Sequence, residues 1–150
     1  MERPRKIIPP VYMLFALAVM SALHVYLPIA RILHPPYTYA GAVLIAAGLL
    51  MSITAAGSFR KVGTPVIPFE RSTVLVTTGM FRYTRNPMYL GLMLILVGVW
   101  IVFGSLSPGL PILAFLWIIQ RNFILGEERF LEEIFGQQYL SYKGRVRRWI

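Results

Sequence analysis

The sequence predicts an all-α, polytopic membrane protein. It should have four transmembrane helices with both termini cytoplasmic, plus a cytoplasmic C-terminal helical segment. Three observations predict this. The 150 residues are 57% hydrophobic and only 14% charged, with a mean hydropathy of +0.64. That is too little charge to cover a soluble globular surface, and too much apolar side chain for a disordered chain. Four long runs carry almost no charge. The basic residues fall very unevenly between those runs.

A bilayer core about 30 Å thick takes about 20 helical residues. Backbone in lipid must satisfy its own hydrogen bonds, so runs of this kind span as helices. The first run, 11–30, is interrupted only by His24 and Pro28. It lacks the small-residue cleavage pattern of a signal peptide and more spans follow it, so it reads as mature structure. The second run, 39–58, has no ionisable group except the Tyr39 phenol. Its Gly41, Ala42, Ala46, Ala55 and Ala56, with Gly91 and Gly98 of the third run, 88–107, suit close helix packing. The fourth run, 108–125, carries Arg121 near its end, and Ser107-Pro108-Gly109 joins it to the third as a tight hairpin.

Arg3, Arg5 and Lys6 precede the first span. Arg60, Lys61, Arg71, Arg82 and Arg85 fall in the loop 60–87, and Arg129, Lys143, Arg145, Arg147 and Arg148 in the tail 126–150. Only Arg31 lies between spans one and two, and the turn Gly104 to Gly109 has no basic residue. The positive-inside rule then places both termini, the loop 60–87 and the tail in the cytoplasm. The net charge of +9 is what this topology and anionic lipid require, so no nucleic-acid partner is expected. The chain reads as one membrane-embedded domain, 1–150. Cysteine and aspartate are absent, and His24 and His34 are the only histidines, so no metal site is expected. His24 is the one ionisable group well inside a span. It reads as a hydrogen-bonded structural residue, because a working base belongs near the cytoplasmic loops. No Glu lies within a span, which disfavours a proton-coupled transporter.

Two cytoplasmic stretches carry the chemistry. In residues 77–91, Asn86 suits a helix N-cap and Pro87 the first helical position. Span three should therefore begin at Pro87, with free N–H groups able to receive an anion beside Arg82 and Arg85. Tyr83 and Tyr89 could stack on a flat ring. The same residues also read as an interfacial belt anchoring a helix end. Upstream, Thr64-Pro65-Val66-Ile67-Pro68 is stiff and Ser72 to Val76 is strand-like without a partner, which predicts a loop in the interface over the mouth of the bundle. In the tail, Gly126 to Gly136 continues span four. Phe130, Leu131, Ile134 and Phe135 form one apolar face, Gly136 suits a C-cap, and a second short helix runs from Gln137 through Tyr139 and Tyr142. Glu132 and Glu133 belong to a solvated face. Glu127 and Glu128 stand where span four leaves the membrane. Arg121 shares a face with Glu128 unless Gly126 interrupts the helix, so a carboxylate held near Arg85 and Arg121 should stay ionised.

The pattern Gly79, Arg82-Tyr83, Arg85-Asn86-Pro87-Met88-Tyr89-Leu90-Gly91, then Glu127-Glu128, Leu131, Phe135-Gly136, Tyr139, Tyr142 and Arg145-Val146 resembles the isoprenylcysteine carboxyl methyltransferase family. It is also similar to the wider group that holds phospholipid N-methyltransferases. The resemblance covers roughly 64–150. It implies a multispan membrane methyltransferase using S-adenosylmethionine. In the family an Arg-His-Pro-x-Tyr segment and a Glu pair line the cofactor pocket at the cytoplasmic face; Asn86 stands here at the position of the His. The implied cofactor site is Gly79, Tyr83, Arg85, Asn86, Pro87, Tyr89, Gly91, Glu127, Glu128 and Tyr139, with Arg85 and Glu128 as the catalytic pair. Arg85 and the start of span three would take the cofactor carboxylate. Glu128 or Glu127 would take its ammonium or a ribose hydroxyl, and Tyr89, Tyr83 or Tyr139 its adenine. No Gly-x-Gly occurs, so a dinucleotide-type glycine loop is not the binding device. The implied partners are membrane lipids and a prenyl or lipid-like acceptor. A carboxylate acceptor, which needs no base, is the preferred reading and an amine of a phospholipid the alternative. A non-catalytic membrane scaffold is the alternative of another class. Neighbours on a helix point about 100° apart, which leaves open whether Glu127 or Glu128 faces the pocket.

Overall fold

The computed structural model describes residues 8–63 and 74–150. All regular structure among them is helical: α1 Pro9–Tyr26, α2 Ala40–Lys61, α3 Pro87–Phe103, α4 Leu110–Ile119, α5 Leu125–Phe135 and α6 Gln137–Arg145. Short 3-10 turns cover Tyr37–Tyr39, Gly79–Arg82 and Ser107–Gly109, and one π-helical turn, Gln120–Ile124, joins α4 to α5. The segment Thr64 to Pro68 and the start of the strand-like stretch lie outside the described residues.

The helix starts follow the sequence signals and some of the stops do not. Pro9 and Pro10 open α1, where a missing N–H costs nothing. Hydropathy carries the first span to Ala30, but α1 stops at Tyr26. Leu27 precedes a proline and is pushed out of helical geometry, to φ −146° and ψ 63°. Hydropathy likewise carries the third span to Ser107, but α3 stops at Phe103. Gly104 takes φ 68°, a left-handed helix end that favours glycine. A Cβ there would also meet the Leu33 carbonyl oxygen at 2.5 Å. Chain 27–36 closes this end of the bundle: Ile32 and Leu33 donate backbone N–H groups to the Gly104 carbonyl at 2.8 and 3.1 Å. His24 has the structural role expected of it. Its Nδ1 lies 2.8 Å from the Ser105 hydroxyl, and its ring stacks on Phe103.

α2 and α3 run antiparallel in backbone contact. A Cβ on Gly41 would stand 2.3 Å from the Gly98 carbonyl oxygen, and one on Gly48 would stand 2.5 Å from that of Gly91. Gly41, Gly48 and Ala55, seven residues apart, are the buried stripe of α2, whereas Ala42 and Ala46 are exposed and take no part. The main core joins Ala16 and Met20 of α1, Leu92 and Leu96 of α3, and Ile112, Phe115 and Ile119 of α4, with Phe123 and Ile124 of the π turn. The outer faces stay apolar: Phe15 is 71% exposed, Ile53 68% and Trp117 63%. A surface this apolar belongs in lipid, and the chain is an integral membrane protein. Three helical stretches, Pro9–Tyr26, Tyr37–Lys61 and Ser107–Phe135, are long and apolar enough to cross a bilayer, while α3 is a shorter apolar helix. The 29 residues of Ser107–Phe135 extend about 44 Å at 1.5 Å per residue. That exceeds a core of about 30 Å.

Candidate active site

A cavity of about 350 Å³ opens between the first turn of α1, the end of α2, residues 74–76, the start of α3, α5 and α6. That is within the usual size range of small-molecule sites. Its walls are mostly apolar, with Ile8, Phe59, Val76, Phe81, Leu92 and Leu131 among them. Its polar groups are few: Ser52, Arg85, Asn86, Tyr89, Glu127, Glu128, Tyr139 and Tyr142.

Local sequence explains how these groups meet. Pro87 starts α3 as expected, with Asn86 at the N-cap position. The Asn86 side chain does not cap the helix, however. Its Nδ2 donates to the Arg148 carbonyl at 3.0 Å, and the Thr84 hydroxyl donates to the same oxygen at 3.1 Å. The Arg85 backbone N–H donates to the Arg147 carbonyl at 2.9 Å. Residues 147–148 thus form a strap across the loop that precedes α3. Gly136, at φ 48°, reverses the chain between α5 and α6 in a conformation that favours glycine. This turns α6 back on the site, where Tyr139 and Tyr142 are buried. The Tyr142 hydroxyl donates to the Phe81 carbonyl at 2.7 Å, tying α6 to the turn before α3.

Both Glu127 and Glu128 line the cavity, with different partners. Glu127 Oε1 accepts the Tyr89 hydroxyl at 2.7 Å. Glu128 is forked by Arg148, whose Nε and Nη2 donate to Oε1 and Oε2 at 2.8 and 2.7 Å. Arg85 Nη2 stands 3.3 Å from Glu128 Oε1. The Arg85 side chain is only 9% exposed, and its Nε and Nη1 have no hydrogen-bond partner among the described residues. Hydrogen bonding to Glu128 holds the Arg148 guanidinium above its ordinary value. Burial, then the Glu128 charge, push the Tyr139 phenol up to about 12 against the pull of Arg85. Tyr139 is therefore a neutral hydroxyl at physiological pH.

Of the residues expected to form the site, Arg85, Asn86, Pro87, Tyr89, Glu127, Glu128 and Tyr139 line the cavity. Gly79, Tyr83 and Gly91 lie outside its lining. Gly79 turns the chain at φ 63° beside Ser58, and Gly91 packs against Gly48 and Ser52 of α2. Tyr83 is 75% exposed. Arg121 is also exposed and does not reach Glu128. The π turn takes up an extra residue between them, which rotates α5 by about 100° relative to a continuous α-helix. Arg148 supplies the cation instead. Sequence reasoning placed it only in a basic tail, because a pairing twenty positions away has no local signature.

The chain matches the phospholipid methyltransferase family over residues 37–138. It belongs to that family. A Haemophilus influenzae uncharacterized protein is 40% identical over 63 residues, which is 42% of this chain and all of that protein. The Saccharomyces cerevisiae protein-S-isoprenylcysteine O-methyltransferase is 34% identical over 80 residues, covering 51% of this chain and 32% of the yeast protein. A probable protein-S-isoprenylcysteine O-methyltransferase of Oryza sativa subsp. indica is 33% identical over 113 residues, covering 73% of this chain and 58% of the rice protein. These two matches span about a third and under three fifths of the isoprenylcysteine methyltransferases' own length. The phospholipid methyltransferase match contains every residue of the cavity's α3 and α5 walls; the strap at Arg147–Arg148 lies beyond it.

Proposed function

We propose that this family member is a membrane methyltransferase that uses S-adenosylmethionine to methylate a lipid-like acceptor, with a carboxylate as the preferred acceptor. The observation that carries this reading is the pair of buried, unpartnered Arg85 nitrogens in the cavity wall. Buried polar groups are almost always paired, so this guanidinium is built for a ligand anion. Glu127 has no cation partner among the described ion pairs. The cavity therefore presents unpartnered guanidinium nitrogens and a carboxyl group with no cation beside it, among mostly apolar walls. The zwitterionic amino-acid end of the cofactor fits that arrangement, and the apolar walls suit its adenosine.

When bound, the cofactor supplies an electrophilic methyl group on a sulfonium. The protein's part is to bind, orient and exclude water. Arg85 holds an anion with N–H groups that no protein acceptor satisfies among the described residues, and Tyr89 fixes the Glu127 carboxylate through its hydroxyl. Alignment in a dry pocket supplies much of the rate of such a displacement, and a carboxylate acceptor needs no base. Glu127 also favours a second reading. An amine acceptor enters protonated and must lose a proton, and a carboxylate with no counter-cation can take it.

The proposed topology is four spans with both termini in the cytoplasm. α3 is the shortest span, at 17 residues, the lower limit for crossing with local thinning of the bilayer. The cavity would then face the cytoplasm. Equilibrium binding of S-adenosylmethionine to the purified chain in micelles tests the central claim. Saturable binding that Arg85→Ala abolishes is the expected result. No binding to a folded sample would leave a membrane scaffold that keeps the fold alone.

A further inference from the structure

Glu128 has two arginine neighbours and satisfies only one of them. Arg148 takes both carboxylate oxygens in a fork at 2.8 and 2.7 Å. Arg85 reaches the same carboxylate through one nitrogen at 3.3 Å and leaves Nε and Nη1 unpartnered. A guanidinium beside a carboxylate ordinarily closes on it with two parallel N–H bonds. Arg85 is near enough to do so, but the Arg148 fork already engages both oxygens, one N–H to each, and Arg85 shares only Oε1. The cluster of two arginines and one glutamate also keeps one uncompensated positive charge.

The strap explains why Arg148 wins. Its carbonyl is held by Asn86 and Thr84, and the Arg147 carbonyl is held by the Arg85 backbone N–H. The backbone of both arginines is thus fixed by one set of bonds. Arg148 itself does not line the cavity. It approaches Glu128 with a side chain one-third exposed.

We propose that Arg148 is a positioning residue: by occupying Glu128 it keeps the Arg85 guanidinium open for an anionic group of the ligand. The inference rests on the cofactor reading above, in which that group is the cofactor's carboxylate. Without Arg148, Arg85 closes on Glu128 and its free N–H groups are lost. The Arg148→Lys substitution keeps the charge but not the fork, so its effect falls in between.

The test compares binding of two probes to the full chain in micelles by calorimetry. One is S-adenosylhomocysteine. The other is decarboxylated S-adenosylhomocysteine, which keeps the adenosine, thioether and amine but lacks the carboxylate. Arg148→Ala should weaken the first by about tenfold or more, as expected for one charge-assisted hydrogen bond, and leave the second within about twofold. In a Glu128→Gln background, Arg148→Ala should no longer change the ratio of the two affinities, because the carboxylate that would capture Arg85 is gone. Equal weakening of both probes would make Arg148 a merely structural residue and overturn the inference. So would unchanged S-adenosylhomocysteine binding. Should Arg148→Ala not fold, the same selective loss in Arg148→Lys decides the matter. If the unaltered protein binds neither probe, the cofactor reading falls and this inference with it; if it binds both and the variants do not discriminate, only this inference falls.

Discussion

Tyr89 is the polar group through which α3 meets Glu127, and its hydroxyl carries the one hydrogen bond described for that carboxylate. Tyr89→Phe removes the donor and leaves an acceptor in an apolar wall. A typical hydrogen bond contributes about 0.5–1.5 kcal/mol net, and a buried acceptor left unpaired costs about 1–3 kcal/mol. The variant should therefore lower the midpoint of thermal unfolding in micelles, while Tyr83→Phe, at an exposed ring, should not. An unchanged midpoint in Tyr89→Phe would mean the bond contributes nothing net. The two tyrosines look alike in sequence, since both flank the Arg85-Asn86-Pro87 segment. What separates them is the irregular turn before α3, which directs one into the cavity and the other outward. The adjacent Glu127 and Glu128 are likewise indistinguishable as letters. In the fold both reach the cavity, one paired with a phenol and one with guanidinium groups.

The start of α3 and the reversal after α5 are legible because they are local chemistry: Asn86-Pro87 and Gly136 each act on their own backbone, whereas α1 starts at Pro9, two residues before the uncharged run. Hydropathy alone overruns two helix ends, which Leu27-Pro28 and Gly104 cut short. The π turn was not legible, because a one-residue insertion in hydrogen-bond register leaves no compositional trace, and it moved Arg121 off the site. The small residues of α2 were half legible: Gly41 and Ala55 are buried, while Ala42 and Ala46 face away. The α2–α3 contact gives a direct test. A Cβ at Gly48 meets backbone, 2.5 Å from the Gly91 carbonyl oxygen, whereas a Cβ at Gly57 meets nothing within 4 Å. Gly48→Ala should cost about 1–3 kcal/mol through overpacking, and Gly57→Ala should be neutral or stabilising on the same helix. Equal thermal midpoints for the two variants would show that α2 and α3 can separate without penalty.

At the scale of the whole molecule the charge distribution makes a geometric claim. The chain has no cysteine, so single cysteines report cleanly. Leu106→Cys, at an exposed position in the turn before α4, should react with an impermeant reagent from outside the cell. Gln138→Cys, exposed on α6, should react only after the membrane is opened. The reverse pattern would invert the topology. The contact of α2 with α3 also has a meaning for traffic. A seam in which carbonyl oxygens lie where side chains would otherwise stand has no width for a methylene chain, so that flank of the bundle is a wall. The cavity's other apolar flank is different. It begins at Ile8, Pro9 and Pro10, where side chains rather than backbone form the boundary and Ile8 is about half exposed. On the proposed reading, a hydrocarbon tail arriving from the bilayer is barred at the α2–α3 seam and enters past the first turn of α1 instead.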